Sequence, residues 1–169
     1  MLVIQSMIRI RRKIKGVRFK LIPFLLFFMI GLQAHAFFPS DIATKKSHQA
    51  IQKMFGTSVE LVAFESNPNY YSIYQKDSLI AYYCIEQAPS KHDVFEFMVV
   101  YDPLLHIQKV QVLIYREDYG YEIKSRRWLQ QFTKRKVDSV QAISGATISV
   151  NALKNAVDRL NEKMASQLL

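Results

Sequence analysis

Val94-Phe95-Glu96-Phe97-Met98-Val99-Val100-Tyr101 and Ile107-Gln108-Lys109-Val110-Gln111-Val112-Leu113-Ile114-Tyr115 are two runs dense in β-branched and aromatic residues, joined at Asp102-Pro103. Such residues suit a pleated, half-buried surface. A proline directly after Asp presets φ for a tight turn, and the Asp side chain is able to bond its own backbone. The pair therefore reads as a β-hairpin, and the rest of the fold is built outward from it. Upstream, beyond the loop Pro89-Ser90-Lys91, Leu79 to Ile85 reads as a further strand. Val59 to Phe64 and Tyr70 to Tyr74 are shorter strand-like pieces parted by the turn-forming Asn67-Pro68-Asn69. Ahead of them, Ser40 is placed to cap a helix from about Asp41 to Phe55. Ala43, Ala50, Ile51, Met54 and Phe55 offer it an apolar face, and Gly56 its stop.

Downstream, Glu117-Asp118-Tyr119-Gly120-Tyr121-Glu122 breaks both periodicities and reads as a loop. Ser125 is positioned to cap a short helix with Trp128, Leu129 and Phe132 on one side. The last helix runs from about Ser149 to Gln167, with Val150, Leu153, Val157, Leu160 and Met164 at helical spacing. Strands first and helices afterwards, with hairpin-length links, predict an α+β fold: an antiparallel sheet with flanking helices, as a single domain after an N-terminal segment.

The formal net charge of +9 suggests a polyanion partner until its distribution is read. Arg9, Arg11, Arg12, Lys13, Lys15, Arg18 and Lys20 hold 7 of the 23 basic residues, and no acidic residue precedes Asp41. Without them the chain has 16 basic and 14 acidic side chains, so a nucleic-acid-binding body is not indicated.

The basic stretch is followed by an apolar segment, Leu21 to Leu32, then Gln33 and Ala34-His35-Ala36. Positive residues, a hydrophobic segment too short for the roughly 20 residues that span a bilayer, and small residues at a cleavage position make the three-part plan of a secretory signal. The expectation is a signal peptide, or a membrane anchor if uncleaved, over residues 1–36. The mature chain then begins near Phe37, exported to the periplasm or facing it at the inner membrane. Cys84 is the only cysteine, so no intrachain disulfide forms, and its apolar surroundings make it a core residue. His48, His92 and His106 lack ligand spacing, and surface or capping roles are their default. No nucleophile elbow, P-loop or dinucleotide fingerprint is present, so neither a catalytic nor a metal-binding set is assigned.

Between the two C-terminal helices stands Val140-Gln141-Ala142-Ile143-Ser144-Gly145-Ala146-Thr147-Ile148-Ser149. Gly145 permits backbone geometry that a Cβ forbids, and Ala146 keeps the surface close to the chain. Thr147 carries a small hydroxyl at the mouth of a helix, where free N–H groups and the helix dipole favour a phosphate. The plainer role for Ser144, Thr147 or Ser149 is to cap the helix, and on these residues alone it is the commoner one.

Ser144-Gly145-Ala146-Thr147 resembles the flavinylation motif of the FMN-binding domain family, found in the covalent-flavin subunits of Rnf complexes and of the sodium-pumping NADH:quinone oxidoreductase. The preceding hairpin, the segment Arg116 to Glu122, Trp128-Leu129-Gln130-Gln131-Phe132 and the helix after the motif resemble the family's order of parts. The resemblance covers roughly Tyr71 to Leu160. It divides the exported chain into an N-terminal helix and lead-in strand at 37–70 and an FMN-binding domain at 71–162.

The resemblance implies that an ApbE-type flavin transferase joins FMN through its phosphate to Thr147, with Ser144, Gly145 and Ala146 shaping the loop. It further implies that Gly120 allows close backbone approach to the isoalloxazine ring, with Tyr119 or Tyr121 stacking on it. The protein is then an electron carrier or redox subunit that serves a membrane or periplasmic redox partner, more than a stand-alone catalyst. Arg126 and Arg127 are suited to an anionic reduced flavin, but a solvated helix surface is their more ordinary place. Two positions depart from the family pattern. Gln141 stands where the family has an acidic residue three positions before the motif serine, with Asp138 nearby. Tyr119, Gly120 and Glu122 stand where the membrane-complex subunits have a proline and two glycines. A secreted binding or scaffold module of the same fold without flavin is the alternative that Gln141 favours.

Overall fold

The hairpin expected from Val94 to Tyr115 forms one end of a five-stranded antiparallel meander in the computed structural model, which describes residues 37–168. The signal segment expected at 1–36 lies outside the described residues. In chain order the elements are helix α1 (Asp41–Phe55), strands β1 (Glu60–Ala63), β2 (Tyr70–Gln75), β3 (Ser78–Pro89), β4 (Val94–Tyr101) and β5 (Ile107–Ile114), the short helix α2 (Arg126–Leu129) and the long helix α3 (Thr147–Leu168). Single 3-10 turns at Tyr121–Lys124, Gln130–Thr133 and Val137–Ser139 flank α2. The strands lie in sequence order, so every link is a local hairpin and the α+β expectation holds.

Helices cover both faces of the sheet, which is why β4 is buried along all of Phe95 to Tyr101 instead of alternating with solvent. Side chains still alternate between two cores. Phe95, Phe97, Val99 and Tyr101 point with Tyr82 and Cys84 toward α3 and the α2 region, where Leu153, Val157, Leu160, Trp128 and Phe132 meet them. Met98 and Val100 point with Tyr83 and Ile85 toward α1, against Ala43, Ala50 and Ile51. Each large apolar side chain so buried contributes about 1.5–3 kcal/mol of transfer free energy.

Ser40 caps α1 as its sequence position implies, its Oγ accepting from the Ala43 N–H at 3.2 Å. It also ties the helix to the sheet. The Ser40 N–H and hydroxyl both donate to Oε2 of buried Glu96, at 2.8 and 3.0 Å, while Arg116 donates to Oε1 at 2.6 Å. A carboxylate at the positive end of α1, paired on its other side, is a satisfied buried charge. Gly56 ends the helix at φ 89°, its N–H on the Gln52 carbonyl. Met54, expected on the apolar face, is 37% exposed, and Ser47 is buried in that face instead, its hydroxyl returned to the Thr44 carbonyl.

Several sequence expectations are adjusted. The β2–β3 turn, not assigned from the residues, is a two-residue hairpin at Lys76 and Asp77, both with positive φ, a geometry usually signalled by glycine or asparagine. The β4–β5 link is wider than Asp102-Pro103. It runs to His106, with Leu105 left-handed and Asp102 Oδ1 accepting from the N–H groups of Leu104 and His106. His48 is not a surface or capping residue: it packs edge-on to the rings of Tyr71 and Tyr83 between α1 and the sheet. Ser125 occupies the N-cap of α2 without a side-chain bond to it. Cys84 is wholly buried with Sγ 3.4 Å from Met164 Sδ, and burial pushes its thiol pKa well up, as befits an inert core residue. Among the described residues no helix is long and apolar enough to cross a membrane, and no histidine, cysteine or carboxylate cluster has the makings of a metal site.

Candidate functional site

Helix α3 begins at Thr147, two residues earlier than its apolar periodicity indicates, because Val150 donates to the Ala146 carbonyl at 2.9 Å. Thr147 is therefore the first helical residue, inside the helix and not its cap. It is exposed, and the N–H groups of Thr147, Ile148 and Ser149 precede the first intrahelical bond. Ser149 does not cap either. Its Oγ lies 3.0 Å from the Tyr115 hydroxyl at the end of β5. Ser144 and Gly145 are exposed while Ala146 is buried, so the chain enters the helix over a surface anchored by one methyl group. Gly145 has φ 80°, and a Cβ on it would meet nothing within 4 Å. Glycine is required there by the backbone, and the space above it is open.

The loop after β5 comes to the same place. Gly120, at φ 74°, packs so closely that a Cβ would stand 3.0 Å from both the Ala146 Cβ and the Tyr115 hydroxyl. The close approach made by this glycine is thus to Ala146 and Tyr115. Tyr119 is 77% exposed, and Tyr121 is half-exposed with its ring 6.2 Å edge-on from that of Tyr115. Lys124 Nζ lies 4.2 Å over the Tyr121 ring. Glu117 holds the loop's base, accepting from the Ser90 hydroxyl and from the N–H groups of His92 and Asp93. These bonds, the Ser90 hydroxyl first, lower its carboxyl pKa.

The approach to the motif is pinned through its backbone. Trp128 Nε1 donates to the Gln141 carbonyl at 2.7 Å, and the Gln141 N–H donates to Gln131 Oε1 at 3.1 Å. From the other side, Lys154 Nζ of α3 donates to the carbonyls of Asp138 and Val140 at 2.7 and 3.2 Å. Gln141 thus positions the loop with main-chain atoms alone, and the loop's geometry does not depend on which side chain stands there. Arg126 and Arg127 are exposed. Asp138 raises the pKa of Asp158 behind burial of the latter, with Glu162 adding to it.

The structure therefore gathers Ser144, Gly145, Ala146, Thr147 and Gly120 at one end of α3, and Tyr121 joins them through the ring of Tyr115. The sequence reading missed Tyr115, Gln131 and Lys154. Tyr115 closes a strand, Gln131 stands in the aromatic segment with no role assigned, and Lys154 falls on the charged face of the last helix. Only pairing across the fold gives them partners. A model of the FMN-binding domain family matches residues 91–162, which take in β4, β5, the Gly120 loop, α2, the motif and most of α3.

This segment is an FMN-binding domain.

No curated protein matches the chain. The assignment gives the FMN-binding domain a flavin-binding role, and the residues gathered here suit it: an open, glycine-shaped entry to a helix N-terminus for a phosphate, with exposed tyrosine rings beside it.

Proposed function

We propose that the FMN-binding domain carries FMN as a phosphate ester on Thr147 and moves electrons outside the cytoplasm. The observation that carries the reading is the exposed Thr147 hydroxyl on the first residue of a 22-residue helix, beside open space over Gly145. In the proposed attachment the Thr147 oxygen gives its proton to solvent and bonds the FMN phosphorus of a flavin pyrophosphate donor brought by an ApbE-type transferase, as the donor's P–O–P bond breaks and its second nucleotide leaves as the monophosphate. The first-turn N–H groups would donate to the remaining phosphate oxygens, and the positive end of the α3 dipole would favour their charge. Ser144 and Gly145 shape the entry, Gly120 keeps the adjoining loop low against Ala146, and Tyr119 and Tyr121 offer faces to the ring. Bound FMN supplies an isoalloxazine that accepts and releases one or two electrons. Export follows from the basic, apolar and small-residue plan of residues 1–36. A covalent link suits that compartment, where a lost cofactor is not readily replaced.

Mass spectrometry of the protein from its own host, or coexpressed with a transferase and exported, tests the reading. The expected result is one FMN, less one water, on the peptide containing Thr147, and a chain beginning near Phe37. A colourless protein with that peptide unmodified overturns it and leaves the second reading, a flavin-free exported module, which the uncharged Gln141 favours.

A further inference from the structure

The segment beside the site carries a charge pattern that flavin binding does not use. From Ile123 to Val137 there is no acidic residue, and Lys124, Arg126, Arg127, Lys134, Arg135 and Lys136 are all exposed. None of the six is in an ion pair among the described residues. From Phe37 onward the chain has 16 basic and 14 acidic side chains, so outside this segment 10 basic face 14 acidic. The domain is thus polarised, with its excess positive charge on one short stretch. Glu122 and Asp138 flank the segment at its two ends.

The same segment holds the motif. Trp128 and Gln131, within it, bond the carbonyl and N–H of Gln141, three residues ahead of Ser144. The segment that carries the cations therefore also holds the backbone leading into α3, and Tyr119, Tyr121 and Ile148 are exposed as well. Arginine and tyrosine around an exposed edge are what contact surfaces between proteins favour. A lipid surface fits less well. Trp128, Leu129 and Phe132, the apolar side of this segment, are buried in the core, so no apolar face is left to enter a bilayer.

We propose that the 124–136 segment is the docking surface for an acidic electron-transfer protein, steering its negative face to the flavin end of α3. The inference rests on the flavin-carrier reading. Opposite charges raise the encounter rate and orient the partner, and salt weakens both effects. Each reduced flavin gives its two electrons to two one-electron acceptors and its protons to water.

The test uses the mature, flavin-loaded protein, photoreduced and mixed in a stopped-flow instrument with acidic plastocyanin, with basic cytochrome c, and with neutral benzoquinone. The expected result is faster reduction of plastocyanin than of cytochrome c at low salt, falling about tenfold as salt is raised to about 0.5 M. Lys134→Glu/Arg135→Glu is expected to lower the plastocyanin rate at least tenfold and leave the benzoquinone rate unchanged, with Lys134→Gln/Arg135→Gln intermediate. Rates on a loaded protein that respond neither to salt nor to these substitutions overturn the docking surface while the flavin reading stands. Salt-sensitive binding to phosphatidylglycerol vesicles, lost in the variants while the plastocyanin rate is not, overturns it in favour of lipid. Protein that carries no flavin from a competent host overturns both readings.

Discussion

Gly120 and Ala146 are in such close contact that a methyl group added to the first would stand 3.0 Å from the Cβ of the second. Two segments 26 residues apart thus share one small-residue contact, and the hydroxyl of Tyr115 closes its other side at the same distance. Gly120→Ala meets both neighbours and holds alanine at φ 74°. We expect a loss of about 1–3 kcal/mol in urea unfolding and reduced flavin content. Unchanged stability would mean that the loop moves freely off the motif.

Thr147 is exposed, so truncating its side chain removes little buried surface. Thr147→Ala is expected to abolish covalent flavin while stability changes by less than about 0.5 kcal/mol. Absorbance of the denatured, acid-precipitated protein measures the first and urea unfolding the second. Covalent flavin persisting in this variant would place the attachment elsewhere.

Trp128→Phe preserves the apolar contact with Phe132 and removes the donor to the Gln141 carbonyl. The expected cost is about 1–2 kcal/mol. Faster amide exchange should follow from Val140 to Ala146, leaving β3 and β4 protected. Gln141→Glu retains the main-chain bonds, and because it restores the family's charge it is expected to fold as wild type and to load flavin at least as fully.

Glu96 accepts from Ser40 and Arg116 in a setting only 3% exposed. Glu96→Ala leaves the Arg116 guanidinium and the first turn of α1 without their partner. We expect a loss of about 3–5 kcal/mol. Proteolysis in the 37–44 region should increase ahead of cleavage in the sheet.

Glu117 titrates below the ordinary glutamate range because the Ser90 hydroxyl and then the His92 and Asp93 N–H groups favour its charged form. A carboxylate with a lowered folded pKa adds stability that is complete above its unfolded pKa. That stability is lost as pH falls through the folded pKa, so the 90–93 and 117–120 segments should loosen only below about pH 4. Amide exchange in these segments across pH 3 to 6 checks this. Glu117→Gln should remove the acid dependence, and an unchanged profile in that variant would assign it to another group.

Much of this architecture was legible because its signals are local. Ser40 and Gly56 bound α1 through their own side chain and φ, and the runs on either side of Asp102-Pro103 pair with each other across a local loop. Lys76 and Asp77 were not legible as a left-handed turn. Neither residue carries a strong preference for positive φ, and the pairing of β2 with β3 imposes it. His48 likewise reads as a surface residue until α1 lies on the sheet and its ring meets Tyr71 and Tyr83.

The candidate site divides in the same way. The order of residues alone determined that a glycine, an alanine and a threonine stand before an amphipathic helix, because helix start signals and apolar periodicity act within a few residues of chain. Only the tertiary structure decided that Thr147 is the first helical residue, that Gly120 rests on Ala146, and that Trp128, Gln131 and Lys154 hold the loop by its backbone. Those contacts join segments separated by 10 to 26 residues. Main-chain groups are the same at every position, so what they bond to is settled when sheet and helices pack, and no side-chain pattern announces it.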